Sequence, residues 1–228
     1  MKKMITTGLA FLMIYTLLIG CQDDSSGDDI GANDSSTVDL DNYTQDALTD
    51  DEKYALAYMW HEEKLAYDIY IELDKVNPAN QLNSIATKSE INHITLVEDL
   101  IEWYDINVTN IPDYTINYSK EELDAMPIGV FAIDKIQKLY DDLYAIGAVS
   151  TQKSLEVGCM VEVVDVDDLL EFIEDAHGNE AILDTFTILL EGSYKHYWAF
   201  DNGLKKMNIS DGCCSLGIEF CKPDYPNN

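Results

Sequence analysis

The stretch Ala86-Thr87-Lys88-Ser89-Glu90-Ile91-Asn92-His93-Ile94-Thr95-Leu96-Val97 decides how this chain is read. Ala86, Val97, Leu100 and Tyr104 fall on one helical face, so a helix is expected from about Asn83 to Asp105. Near its middle that face is broken by Glu90 and His93, which sit three residues apart on adjacent turns. A buried carboxylate without a partner is costly, and either takes up a proton or finds a cation.

The same interruption recurs on three more helices. Thr49-Asp50-Asp51-Glu52 has capping-box spacing and opens a helix that ends near Val76, before Asn77-Pro78. Its stripe of Leu56, Met59, Ala66, Tyr67, Tyr70 and Leu73 is broken by Glu63, with Glu62 as the alternative inward residue. A third helix begins near Ser150 and stops at His177-Gly178. Its stripe of Leu155, Cys159, Val166, Leu169 and Ile173 is broken by Glu162, with Asp165 three further on. Cys159 is read there as a small hydrophobe, and Gly158 makes this stripe the weakest. The fourth runs from about Asn179 to Met207, with Ile182, Phe186, Leu189 and Phe200 inward and His196 breaking the stripe, preceded by Ser193.

Short links pair helices one with two and three with four as antiparallel hairpins. Residues 106 to 149 form one long crossover holding Pro112, Pro127, a helical piece from the capping box Ser119-Lys120-Glu121-Glu122, and another over Phe131 to Ile146. No strand alternation competes. The fold class expected is all-α, an antiparallel four-helix bundle whose single crossover contains short helices.

Residues at equal height in an antiparallel hairpin lie symmetrically about its turn. The midpoint of Glu162 and His196 is residue 179, in the His177-Gly178-Asn179 turn; that of Glu63 and Glu90 is 76.5, at Val76-Asn77-Pro78. One level of the bundle therefore gathers Glu63, Glu90, His93, Glu162, Asp165 and His196 as candidate metal ligands. Carboxylates with a few imidazoles suit two divalent ions of iron or manganese. The competing readings are half-buried helix residues or satisfied core histidines, and Asp167 and Asp168 beside Asp165 suggest a solvated face. His61 is expected at the surface and His177 as a helix-end cap. Tyr67, Tyr70 and Tyr194 are read as core, with hydrogen bonding to ligands or electron relay as the alternative.

The chain resembles ferritin-like proteins, and within them the bacterial family known as domain of unknown function 2202. The resemblance rests on Glu62-Glu63-Lys64-Leu65-Ala66-Tyr67-Asp68-Ile69-Tyr70, Ser89-Glu90-Ile91-Asn92-His93, Ile128-Gly129-Val130-Phe131, Leu155-Glu156-Val157-Gly158, Glu162-Val163-Val164-Asp165 and Leu190-Glu191-Gly192-Ser193-Tyr194-Lys195-His196. It covers roughly residues 50 to 207 and implies a four-helix bundle with a di-metal site, but little about substrate. The chain departs from the ferritin pattern at its fourth helix, where Ser193-Tyr194-Lys195-His196 replaces Glu-x-x-His; Asp165 is the candidate for the missing carboxylate.

The rest of the chain speaks to location. Lys2 and Lys3 precede an apolar run ending in Leu18-Ile19-Gly20-Cys21, so residues 1–20 read as a signal peptide. The ending resembles the bacterial lipobox, which implies cleavage before Cys21 and a lipid on its sulfur. Residues 21–47 carry eight Asp and no Lys and read as a disordered acidic tether with a reach of roughly 30 Å. The bundle is assigned to 48–208 and a Cys-containing tail to 209–228. Cys159, Cys213, Cys214 and Cys221 suggest disulfides in an exported chain, with Cys213 or Cys214 paired to Cys221 as the first expectation. All 14 cationic side chains are Lys, against 43 Asp and Glu, and the net charge of −29 excludes nucleic acid as a partner. The expected protein is bound to the bacterial cell envelope, periplasmic or surface-exposed. It carries out oxidase, peroxidase or metal-oxidising chemistry, or else serves as a non-enzymatic surface module or metal buffer.

Overall fold

Thr49 opens the first long helix as its sequence requires. Its hydroxyl accepts from the Glu52 amide at 3.1 Å, and the Glu52 carboxylate accepts from the Thr49 amide at 2.7 Å. The structure, a computed structural model, describes residues 36–106, 110–111, 114–115, 120–176 and 178–227. The signal peptide, Cys21, Pro112, Ser119 and His177 lie outside them. Seven α-helices are described: α1 (Asp50–Val76), α2 (Asn80–Ile85), α3 (Ile91–Trp103), α4 (Lys120–Asp124), α5 (Asp134–Gly147), α6 (Thr151–Asp175) and α7 (Glu180–Lys206). The chain is all-α apart from a two-residue antiparallel hairpin, β1 (Asn110–Ile111) with β2 (Tyr114–Thr115), in the crossover. A run that short carries no alternation for a sequence reading to find.

The second helix begins earlier than the sequence suggests and is not uniform. A π turn, Ala86–Glu90, joins α2 to α3, so what reads as one α-helix contains a single turn of wider hydrogen bonding. Such turns insert a residue into the helical register and are frequent at functional sites. This one carries Ser89 and Glu90, both buried.

α1 packs on α3 and on α6, α6 on α7, and α7 on α3, which closes a ring of four long helices. α5 lies across α1 and α6. The core between them is formed by Leu56, Met59, Tyr70, Leu73, Val97, Leu100, Leu169, Phe186, Leu189 and Phe200. Tyr67, read as part of the α1 stripe, is only half-buried. Gly158 is no gap in α6, because a Cβ there would sit 2.4 Å from the Phe200 ring. The glycine makes room for a residue on the facing helix.

Residues 36–47 do not behave as a free tether. Val38, Leu40 and Tyr43 pack against the core, Tyr43 donates to Asp184 at 2.6 Å, and Asn92 donates to the Ser36 carbonyl at 3.2 Å. The alternating acidic and small residues hid these three apolar anchors.

The tail is stapled to the body. Cys159 bonds Cys213 and Cys214 bonds Cys221. Cys159 is thus a cross-link rather than a packed free thiol, and the partner of Cys221 is Cys214. Among the described residues no helix is long and apolar enough to cross a membrane.

Candidate metal centre

Each of the four ring helices delivers its interrupting residue to one buried level. Glu63 comes from α1, Glu90 from the π turn, His93 from α3, Glu162 from α6 and His196 from α7, and all five side chains are buried. Their ligand atoms form two groups, each with all atoms within 4.8 Å of one another: Glu63, Glu90 and His93; and Glu90, Glu162 and His196. Glu90 belongs to both. His93 Nδ1 lies 3.2 Å from Glu63 Oε2 and 3.2 Å from Glu90 Oε2. His196 Nδ1 lies 3.1 Å from Glu90 Oε1 and 3.4 Å from Glu162 Oε2. The two oxygens of Glu90 therefore face opposite groups.

Both imidazoles turn Nδ1 to the carboxylates and Nε2 to a shared hydroxyl. Ser89 Oγ is 2.8 Å from His196 Nε2 and 3.4 Å from His93 Nε2. A serine oxygen has two lone pairs, so it can accept from both rings and fix Nδ1 as the ligating atom in each. Tyr70 donates to Glu162 Oε1 at 2.5 Å, leaving Oε2 toward His196. Hydrogen bonding to a ligand was the alternative reading for Tyr70, whereas the role of Ser89, which lies in the π turn, does not show in the spacing of the sequence.

Asp165 is buried, but it stands outside both groups. The Ser193 hydroxyl donates to its Oδ2 at 2.5 Å, so Ser193 holds a carboxyl instead of supplying one. Glu62 and Glu63 both turn inward, at 7% and 1% exposure, which settles the choice between them by burying both. Glu63 meets His93, whereas burial and then the charges of Asp168 and Asp165 push the Glu62 carboxyl well up.

His61 is not at the surface. It is buried against the Trp60 ring, and neither ring nitrogen has a hydrogen-bond partner among the described residues. Burial and then the Lys64 charge lower its pKa to about 4, so the ring is neutral in the folded protein. The unfolded chain takes up that proton near pH 6.5. Stability from this residue is therefore full above pH 6.5 and is lost as pH falls toward 4. His61→Leu should raise the melting temperature, by an amount that widens over that window; equal melting curves at pH 7 and pH 4.5 would refute the assignment.

The electrostatics of the centre are those of charges that balance only locally. Burial pushes Glu63 up to about 7, against the pull of His93. Burial opposes ionisation of Glu90 too, but His196 and then His93 outweigh it and hold its carboxyl low. Burial works against both imidazoliums; Glu63 and Glu90 hold His93 high, while Glu90 and Glu162 raise His196 to about 10. Burial pushes Asp165 well up, and repulsion by Glu63 and then Glu162 adds to it.

The donor set fits a metal on its geometry as well as its chemistry. Glu63 Oε1, Glu90 Oε1 and His196 Nδ1 are buried with no hydrogen-bond partner among the described residues. Glu90 Oε1 and His196 Nδ1 are 3.1 Å apart yet lack the alignment of a hydrogen bond. Two buried donor atoms so close and unpartnered could serve one ion.

An all-helical protein with buried Glu and His groups able to hold a metal is the class that fold and site define. The chain belongs to the family described as uncharacterized protein domain (DUF2202), whose profile matches residues 52–211. It is 35% identical over 153 residues to uncharacterized protein MJ0754 of Methanocaldococcus jannaschii, covering 67% of this chain and 75% of that protein. The crystal structure of hypothetical protein MJ0754 from Methanococcus jannaschii superposes with a TM-score of 0.63 at 30% identity, covering 76% of this chain and 87% of that one.

Proposed function

We propose that the chain is a ferritin-like four-helix bundle, exported and tethered to the bacterial envelope through a lipid on Cys21, that holds two iron or manganese ions. The observation that carries this reading is the pair of ligand groups sharing Glu90. Glu63 and His93 would serve one ion, Glu162 and His196 the other, and Glu90 both. Bound iron or manganese would supply oxidase, peroxidase or metal-oxidising chemistry on dioxygen or peroxide. The chain's own residues orient the donors. Ser89 sets both imidazoles, and Tyr70 fixes the Glu162 carboxylate while its own proton is held by burial and the adjacent Glu162 charge.

A second reading is favoured by one feature. Ser193 stands where a ferritin-like bundle offers glutamate, and Asp165 is tied to it. Such a centre has one carboxylate fewer and would suit a metal-buffering or non-enzymatic surface module. Metal analysis of the chain produced with iron and manganese, followed by peroxide consumption with and without the metal, separates the readings. Metal with turnover supports the first and overturns the second, metal without turnover supports the second, and substoichiometric metal overturns the first.

Ser89→Ala removes the common hydroxyl while leaving every ligand in place. Loss of a group that orients a metal-binding imidazole typically costs 10–100-fold in metal affinity. A chelator competition titration should show a loss of about that size, with Ser89→Thr recovering part of it; unchanged affinity would mean that Ser89 only packs.

A further inference from the structure

A cavity of about 170 Å³ lies between α1, α5 and α6, next to the metal-type groups and outside them. Its walls are apolar, with Leu65 from α1, Leu143 from α5 and Val161 from α6. A dry apolar cavity of roughly 150 Å³ holds a benzene ring, so this one has room for six to eight heavy atoms. Two carboxyl side chains break the apolar lining, Glu62 and Asp165. Asp165 is already engaged by Ser193. Glu62 Oε2, in contrast, is buried with no partner among the described residues. Leaving a carboxyl oxygen unmatched in an apolar wall is unfavourable. The last torsion of a glutamate is soft, so a small turn of the carboxyl presents that oxygen to a molecule in the cavity.

One wall comes from outside the family match. Phe220 lines the cavity, in a tail that lies beyond residue 211. Its carbonyl accepts from Tyr197 at 2.9 Å, and the next residue, Cys221, is bonded to Cys214. That wall is thus built by this chain's own tail, and α7 holds it in place.

We propose that this cavity binds a small apolar molecule carrying one hydrogen-bond donor, with the body against Leu65, Leu143, Val161 and Phe220 and the donor on Glu62. That such a molecule is the substrate of the metal centre rests on the function proposed above; that the cavity binds it does not. Asp165 forms part of the wall, and its strongest repelling neighbours are Glu63 and Glu162, so an occupant would lie beside the ligand groups.

The test uses the full chain stripped of metal, so that its failure is separable from failure of the metal reading. Benzyl alcohol and toluene, alike in body and different in the donor, are titrated and followed by ligand-observed NMR. One hydrogen bond should make benzyl alcohol roughly tenfold tighter than toluene. Glu62→Leu should erase that preference and leave toluene bound, Glu62→Gln should keep it through the amide oxygen, and Leu143→Trp should abolish both by filling the space. Equal binding of the two probes to the wild type, or binding unchanged in Leu143→Trp, overturns the proposal. If Glu62→Leu fails to fold, the Glu62→Gln and Leu143→Trp arms still decide it.

Discussion

Glu90→Gln is expected to remove most of the bound iron or manganese, lowering affinity by more than roughly 100-fold, since even a residue that only orients a ligand costs 10–100-fold. Glu90 is the one side chain common to both ligand groups, and each of its oxygens faces a different imidazole. Substituting any other ligand would impair one group and leave the second. The amide keeps the shape of the side chain and one oxygen, but it loses the charge that holds His93 and His196 protonated in the metal-free protein. Breaking a buried ion pair from one side costs about 3–5 kcal/mol. The metal-free variant should therefore also melt earlier, and a far-UV spectrum must establish that it still folds. Glu156→Gln is the matched control, a buried glutamate on α6 already engaged by Lys153 and Gln152, and it should leave metal content unchanged. Metal content in Glu90→Gln equal to wild type would remove the basis for the whole metal reading.

The helices and the five buried Glu and His side chains were legible because a 3.6-residue period is a strong signal over 25 residues or more, and a charge inside it stands out. The turn midpoints added height to that reading. The misses have other causes. A stripe presumes one buried face, whereas α1 is enclosed by α3 on one side and by α5 and α6 on the other. Glu62 and His61 are buried for that reason, on faces a single stripe assigns to solvent. Ser89 escaped because the π turn shifts the register by a residue, and a pattern spaced for α-helix places that residue differently. Asp165 was placed correctly inside the body, but its partner was not. The i, i+4 neighbourhood on α6 gives no hint that Ser193, on the facing helix, claims it.

The second large effect concerns the tail. Cys159→Ala combined with Cys213→Ala is expected to destabilise the chain by about 4 kcal/mol, against about 2.5 kcal/mol for the Cys214→Ala and Cys221→Ala pair. The difference follows from the chain each bond closes, with separations of 54 and 7 residues, because the loop entropy removed from the unfolded state grows with loop length. For a domain of this size about 4 kcal/mol corresponds to a fall in melting temperature of roughly 8–16 °C. Removing both cysteines of a bond avoids a stray thiol. The Cys159–Cys213 bond also joins α6, three residues before Glu162, to the segment whose Cys213 amide donates to Asp201 of α7 at 2.9 Å. Its loss should loosen the two helices that carry Glu162 and His196, and so weaken metal binding as well as folding. The short bond closes only the loop that contains Phe220, so its removal should spare Glu162 and His196 and act on the cavity wall. Urea unfolding of the two double variants, each paired with a metal titration, reads both effects. If the long-loop variant is no less stable than the short-loop one, then either the pairing of Cys159 with Cys213 does not form or the tail is not part of the folded unit. Reductive mapping of the wild type tells those two apart.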